Sequence, residues 1–180
     1  MIKRPNIKKL FSICMVLVIM FTFTVFTASS YAVTVIYVVR TPNTTSTTVK
    51  SDALVKEVIK LCNNERAKRN FAPLVEDDLL NKLALLKSQD MVAKSYFAHE
   101  SPTYGYAKDM MRMYNVKYSW LGENIGRAND YNTPQQLVNK WMDSSTHRDN
   151  ILNPNFTKIG VAYVGDKNGK VYWTQLFLKP

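Results

Sequence analysis

Cysteine is nearly absent from this 180-residue chain, which holds only Cys14 and Cys62. Cys14 falls in a segment read below as a removable leader. The chain that remains then has one cysteine and no internal disulfide, so a packed core must hold it together. Cys62 sits at an apolar helix position and reads as packed rather than reactive. Histidine is equally scarce: His99 and His147 are 48 positions apart, which excludes a local metal-binding motif. Ser101, Ser119, Ser144 and Ser145 occupy no Gly-x-Ser-x-Gly elbow and no oxyanion loop is readable, so a Ser–His–acid triad is excluded. Ser144 and Ser145 read as the end of a helix. No basic block follows residue 32 and no internal repeat occurs, so nucleic acid is not an expected partner.

What is present begins with an export signal. Lys3, Arg4, Lys8 and Lys9 precede an uncharged run from Leu10 to Phe26 that lacks Gly and Pro. Ser30 and Ala32 then supply a small-x-small site, which completes a signal peptide over residues 1–32. The run is near the lower length limit of a spanning helix, so a retained membrane anchor is the alternative. Removing the leader lowers the net charge from +10 to +6 and leaves 148 residues, a length suited to one domain with its own core.

Residues 33–50 read as a flexible Thr-rich linker. Val33 to Val39 is apolar and β-branched, and Thr41 to Thr48 is polar and of low complexity. The folded domain is expected over residues 51–180. A first helix covers about Asp52 to Arg69, with Leu54, Val55, Val58, Ile59 and Cys62 on one face and Asn70 as its left-handed exit. A second follows Asp77 and Asp78 and buries Leu79, Leu80, Leu83, Ala84 and Met91. A third covers Tyr106–Tyr114. A fourth opens with Thr133-Pro134-Gln135-Gln136, a cap, a first-turn proline and a capping box, and buries Leu137, Val138, Trp141 and Met142. The period then changes to two: Ile159, Val161 and Tyr163 alternate, Asn168-Gly169 signals a hairpin, and Val171, Trp173, Gln175 and Phe177 line a second strand. Trp120, Trp141 and Trp173 read as core residues. Helices first and an antiparallel hairpin last point to an α+β fold.

Taken singly, the chemistry-bearing residues are weak signals. A histidine at a helix end is more often structural than a ligand, and Glu123 after Gly122 reads as a turn carboxylate. Their surroundings add more. Asn63-Asn64-Glu65-Arg66, Pro73-Leu74, Tyr96-Phe97-Ala98-His99-Glu100-Ser101-Pro102, Gly122-Glu123-Asn124-Ile125, Trp141-Met142, His147-Arg148-Asp149-Asn150-Ile151-Leu152, Ile159-Gly160-Val161 and Tyr172-Trp173-Thr174-Gln175-Leu176-Phe177 follow one another in order. Together they resemble the CAP superfamily, which includes cysteine-rich secretory proteins, antigen 5 and plant pathogenesis-related proteins. The likeness is greatest to its bacterial SCP-like branch and covers about residues 52–178.

The resemblance implies an α-β-α sandwich with a central antiparallel sheet and a cleft lined by two histidines and two acids. Carried onto this chain, these are His99, His147, Glu123 and, as the second acid, Asp109, with Glu100 as the alternative. Many relatives have Glu near Asp109, and the disulfides of the eukaryotic members are missing. Such a cluster can hold Zn²⁺ or another divalent metal through His99 and His147. It can also perform acid–base chemistry, with Glu123 and His147 as catalytic candidates, or fix the cleft's shape by hydrogen bonding. Three functions stay open: a secreted module binding a metal and an extracellular lipid, peptide or envelope polymer; a metal-dependent hydrolase or peptidase acting on peptide or envelope substrate; and a surface-tethered interaction module. The expected location is extracellular or cell-surface, with membrane attachment only if the leader is retained, and the protein is a monomer or a dimer. Cleavage predicts that N-terminal sequencing of exported protein starts at or near Val33; a start at Met1 would show retention.

Overall fold

The computed structural model describes residues 52–128 and 133–180. The expected leader and Thr-rich linker lie outside the described residues. Helix α1 (Asp52–Ala67) buries Val58, Ile59 and Cys62. It stops two residues short of Arg69, and Asn70 then takes the left-handed conformation at φ 58°. The short strand β1 (Val75–Glu76) leads into α2 (Asp78–Ala93), whose first turn is capped by the Asp77 side chain accepting from the Leu80 N–H at 3.0 Å. Leu80, Leu83, Ala84 and Met91 are buried as expected, but Leu79 is 43% exposed. The helix instead buries Lys87, Ser88 and Asp90, polar residues that an apolar stripe does not flag.

Helix α3 (Ala107–Met113) is followed by β2 (Trp120–Ala128), a nine-residue strand where the sequence reading placed only a turn carboxylate. Trp120, expected in the core, is exposed at its start, whereas Trp141 and Trp173 are buried. Helix α4 (Pro134–Asp143) carries the expected cap, with Thr133 Oγ1 accepting from the Gln136 N–H at 3.3 Å. Leu137, Val138 and Trp141 are buried and Met142 only partly so. Ser144 does end α4, but Ser145 opens a further helix, α5 (Ser145–Leu152), that carries His147. The hairpin of β3 (Lys158–Gly165) and β4 (Val171–Lys179) turns through Gly169 at φ 79°.

The sheet order is β1-β3-β4-β2. Strands β3, β4 and β2 are antiparallel neighbours; β1 adds two residues in parallel beside Lys158 and Ile159. Alternation divides the core between two faces. Ile159, Val161, Tyr163, Trp173 and Phe177 pack with α1, α4 and α5 residues such as Cys62, Trp141 and Ile151. Ala162, Leu176 and Leu178 pack with Leu80 and Leu83 of α2 and with Met110 and Met111 of α3. The result is the expected α-β-α sandwich. Burial pushes the Cys62 thiol up to about 12, so it is a packing group and not a nucleophile.

Two buried polar devices join these layers. Arg66, 1% exposed, donates to the carbonyls of Ala72, Ile151 and Asn153, each at 2.8 Å, and so ties the end of α1 to the exit of α5. Asn124 on β2, fully buried, donates to Gln175 Oε1 on β4 and to the His147 carbonyl on α5, each at 3.0 Å. Asn150 donates to Asn124 Oδ1 at 2.8 Å and to the Glu123 carbonyl at 3.1 Å. Gln175 closes the chain by donating to Cys62 Sγ at 3.2 Å. Both N–H groups of the Asn124 amide donate, and its oxygen accepts one bond.

Two substitutions test this packing. A Cβ at Gly160 would lie 2.3 Å from the Leu80 backbone, so Gly160→Ala is expected to cost about 1–3 kcal/mol by overpacking, read as a lower urea midpoint. Asn124→Leu should cost about 1–3 kcal/mol for each buried group left without a partner, read in the same experiment.

Candidate functional site

Strand β2 is an edge of the sheet, and the candidate residues gather there from both helical layers. Gly122-Glu123-Asn124 divides its tasks by strand alternation. A Cβ on Gly122 would come within 2.8 Å of Phe156 and 2.9 Å of Asn150 Oδ1, so glycine is needed for α5 and its exit to approach. Asn124 faces the same side and enters the buried network. Glu123 turns to the opposite side, where the segment after α2 passes.

That segment brings in His99. Its Nδ1 lies 2.7 Å from Glu123 Oε1, with the imidazole 51% exposed and the Glu123 side chain only 8% exposed. A carboxylate can only accept, so Nδ1 carries the hydrogen and Nε2 is the ring nitrogen left for another partner. A carboxylate behind an exposed histidine fixes both tautomer and ring direction.

The loop that carries His99 is held from α2. Asp90 accepts from Tyr96 Oη at 2.7 Å and from Ser101 Oγ at 2.6 Å, and also from the Thr103 hydroxyl. Burial alone would raise the Asp90 carboxyl, but these donors and Lys94 outweigh it and hold Asp90 below its ordinary value. Ser101 Oγ in turn accepts from the Thr103 and Tyr104 N–H groups at 3.0 and 2.9 Å. Lys87, 2% exposed, donates to the His99 carbonyl at 2.6 Å and lies over the Tyr96 ring at 5.3 Å. Burial lowers the Lys87 ammonium, opposed by the nearby carboxylates of Glu123, Asp90 and Glu100.

His147, half-buried in the first turn of α5, is pushed below its ordinary value by burial and then by the charge of His99. The imidazole therefore stays neutral further into acid than a free histidine. Its backbone carbonyl is the one fixed by Asn124.

The other two acids are placed differently. Asp109 accepts from the Tyr106 N–H at 3.1 Å and pairs with Arg112 at 3.0 Å, which closes the N-terminal turn of its own helix. Glu100 lies against the Tyr106 hydroxyl, whose pKa it raises. The structure thus joins His99 to Glu123 directly and brings the His147 backbone to the same strand through Asn124, whereas the hydrogen bonds of Asp109 stay within α3 and its N-cap. Among the described residues no three His, Cys, Asp or Glu side chains converge to hold a metal ion. The residues do not form a closed metal centre, because Glu123 is engaged on Nδ1 and only two imidazoles are left as ligands.

Sequence reading missed Lys87, Asp90, Asn124 and Asn150 as parts of this site. Asn124 and Asn150 stood inside quoted motifs, so position was available as a signal; Lys87 and Asp90 carried none except polarity on an otherwise apolar helix face.

Comparison with known proteins agrees with the fold. Residues 59–177 match CAP, the cysteine-rich secretory protein family. The chain is 48% identical over 139 residues to the Bacillus subtilis protein YkwD, which is uncharacterized. That match covers 77% of this chain and 52% of YkwD, so the chain spans about half the length of that relative. An extracellular protein from Bacillus anthracis containing an SCP domain superposes with a TM-score of 0.64 at 31% identity, over 71% of this chain and 41% of that one. NaASP2, solved with Zn²⁺, has the same fold, with a TM-score of 0.53 at 14% identity over 71% of this chain and 80% of that one. The sandwich, the ordered motifs and these matches lead to one conclusion: the chain belongs to the CAP family, in its bacterial SCP-like branch.

Proposed function

We propose that this protein is an exported CAP domain that acts outside the cytoplasm as a binding module, and that the His99–Glu123–His147 surface contacts its extracellular or envelope ligand. The observation that carries this reading is the half-exposed His99 held by the buried Glu123 carboxylate. A residue that served only packing would not need its ring oriented outward, with its free nitrogen left to solvent. The leader read from the sequence and the extracellular relative from Bacillus anthracis support the location. No helix among the described residues is long and apolar enough to cross a membrane. In the surface-tethered form the segment from Leu10 to Phe26 would be the anchor.

A divalent ion such as Zn²⁺ fits this surface as an exchangeable ligand and not as a resident cofactor. His99 Nε2 and His147 are the donors, and ligand or water would complete the coordination. The zinc-bound NaASP2 structure supports the reading only through a shared fold. Turnover is a second reading, favoured by the same pair. In it His99 would be the general base, because Glu123 is occupied in orienting it. That reverses the role the sequence assigned to Glu123.

Zinc titration by calorimetry tests the assignment. His99→Ala and His147→Ala are each expected to abolish uptake, and Glu123→Ala to weaken it about 10–100-fold by freeing the ring. Uptake should fall in acid as the imidazoles protonate. The depressed value of His147 makes it lose its lone pair later than an ordinary histidine of 6.5 as pH falls. No heat at neutral pH under saturating zinc removes the metal. Sedimentation with isolated cell envelopes that is unchanged in the double histidine variant removes the surface itself.

A further inference from the structure

Among the described strands β3 is an edge over most of its length, because β1 pairs only with Lys158 and Ile159. Its odd-numbered residues turn their backbone groups away from β4: the Ile159 carbonyl accepts from the Asp77 N–H at 2.9 Å, and the Val161 N–H donates to Asn81 Oδ1 at 2.8 Å. Beyond Asn81, the Val161 carbonyl, the Tyr163 N–H and carbonyl and the Gly165 N–H have no hydrogen-bond partner among the described residues. Val161-Ala162-Tyr163-Val164-Gly165 also holds no charge and no proline, the usual protections of a strand edge. This edge borders a groove of ≈ 420 Å³ walled by Val55 and Lys56 of α1 and by Asp78, Lys82 and Leu85 of α2.

We infer that this edge pairs with the same edge of a second copy of the chain, joining two sheets into one across a two-fold axis through Tyr163. The open groups are self-complementary in that antiparallel register. Tyr163 faces its own copy, and each N–H donates to the other's carbonyl. Val161 faces Gly165 of the second copy, so each Val161 carbonyl accepts from a Gly165 N–H. Every open group named above is then used. Asn81 already holds the Val161 N–H, which ends the ladder opposite Gly165, where β3 itself ends. The helices sit back from the edge: Ser88 of α2 donates to Thr174 on β4 at 2.9 Å, and Cys62 of α1 accepts from Gln175 on β4 at 3.2 Å. A strand at the usual spacing of about 4.8 Å therefore has room beside β3. The charges lining the groove balance, Glu76 and Asp78 against Lys56 and Lys82, so two copies meet without net repulsion.

Sedimentation velocity and hydrogen exchange on the exported chain, each over a range of protein concentrations, test this. Dimers are expected to form as concentration rises, and exchange of the Tyr163 and Gly165 amides to slow with them. The Ala162 and Val164 amides face β4 and should not change, which separates pairing from a general gain in stability. Gly165→Pro removes one donor per copy at a position where an added Cβ meets nothing within 4 Å, and Leu85→Lys adds a like charge to each copy's groove. Each is expected to weaken association about ten-fold or more, with Ala162 and Val164 still protected as proof of folding. A chain that stays monomeric at every concentration overturns the inference. So does protection of Tyr163 and Gly165 in the monomer, which would mean that the chain covers its own edge. Dimers that both variants leave intact use another surface and overturn it as well.

Discussion

The Asn124 amide is the constraint on which the rest of the candidate site depends. It is fully buried on β2, and its side-chain hydrogen bonds reach two other elements: β4 through Gln175, and α5 through the His147 carbonyl and Asn150. A buried amide without partners is expensive, so these elements have one low-energy arrangement relative to β2. Asn150 reads the next residue as well, donating to the Glu123 carbonyl. One network thereby fixes the backbone of both His147 and Glu123. Gln175 extends it to Cys62, so α1 is held to the same centre.

The second layer is anchored by a separate device. Asp90 gathers the hydroxyls of Tyr96, Ser101 and Thr103, and Lys87 holds the His99 carbonyl. Both residues come from the face of α2 that packs on the sheet. His99 thus reaches Glu123 from the α2 side, whereas His147 reaches the same edge from the α5 side. Both layers contribute to this edge because β2 is the last strand of the sheet.

The elements with strong local signals were legible in the sequence. Thr133-Pro134 marks the start of α4, Asn70 the end of α1, and Asn168-Gly169 the β3–β4 turn, because each depends on one residue's own backbone preference or hydrogen bond. Strand β2 was not legible, since Gly122, Glu123 and Asn124 are poor strand formers placed there by tertiary needs: close approach, a partner for His99, and the buried network. Helix α5 was hidden for a related reason. Ser144 and Ser145 read as a stop, and the packing of Ile151 and the bonds of Asn150 restart the helix. The resemblance implied Asp109 as the second acid, but its carboxylate accepts from the Tyr106 N–H at the start of α3.

The sequence by itself determined the order of helices and hairpin, and it carries the ordered motifs in which His99, Glu123 and His147 stand. Caps, turns and ordered motifs are local properties, carried by neighbouring residues. Tertiary structure alone decided that His99 meets Glu123, that Glu123 orients His99 in place of acting freely, and that Asp109 serves its own helix. Those outcomes depend on how buried polar groups find partners across elements distant in the chain, and no spacing along the sequence encodes that pairing.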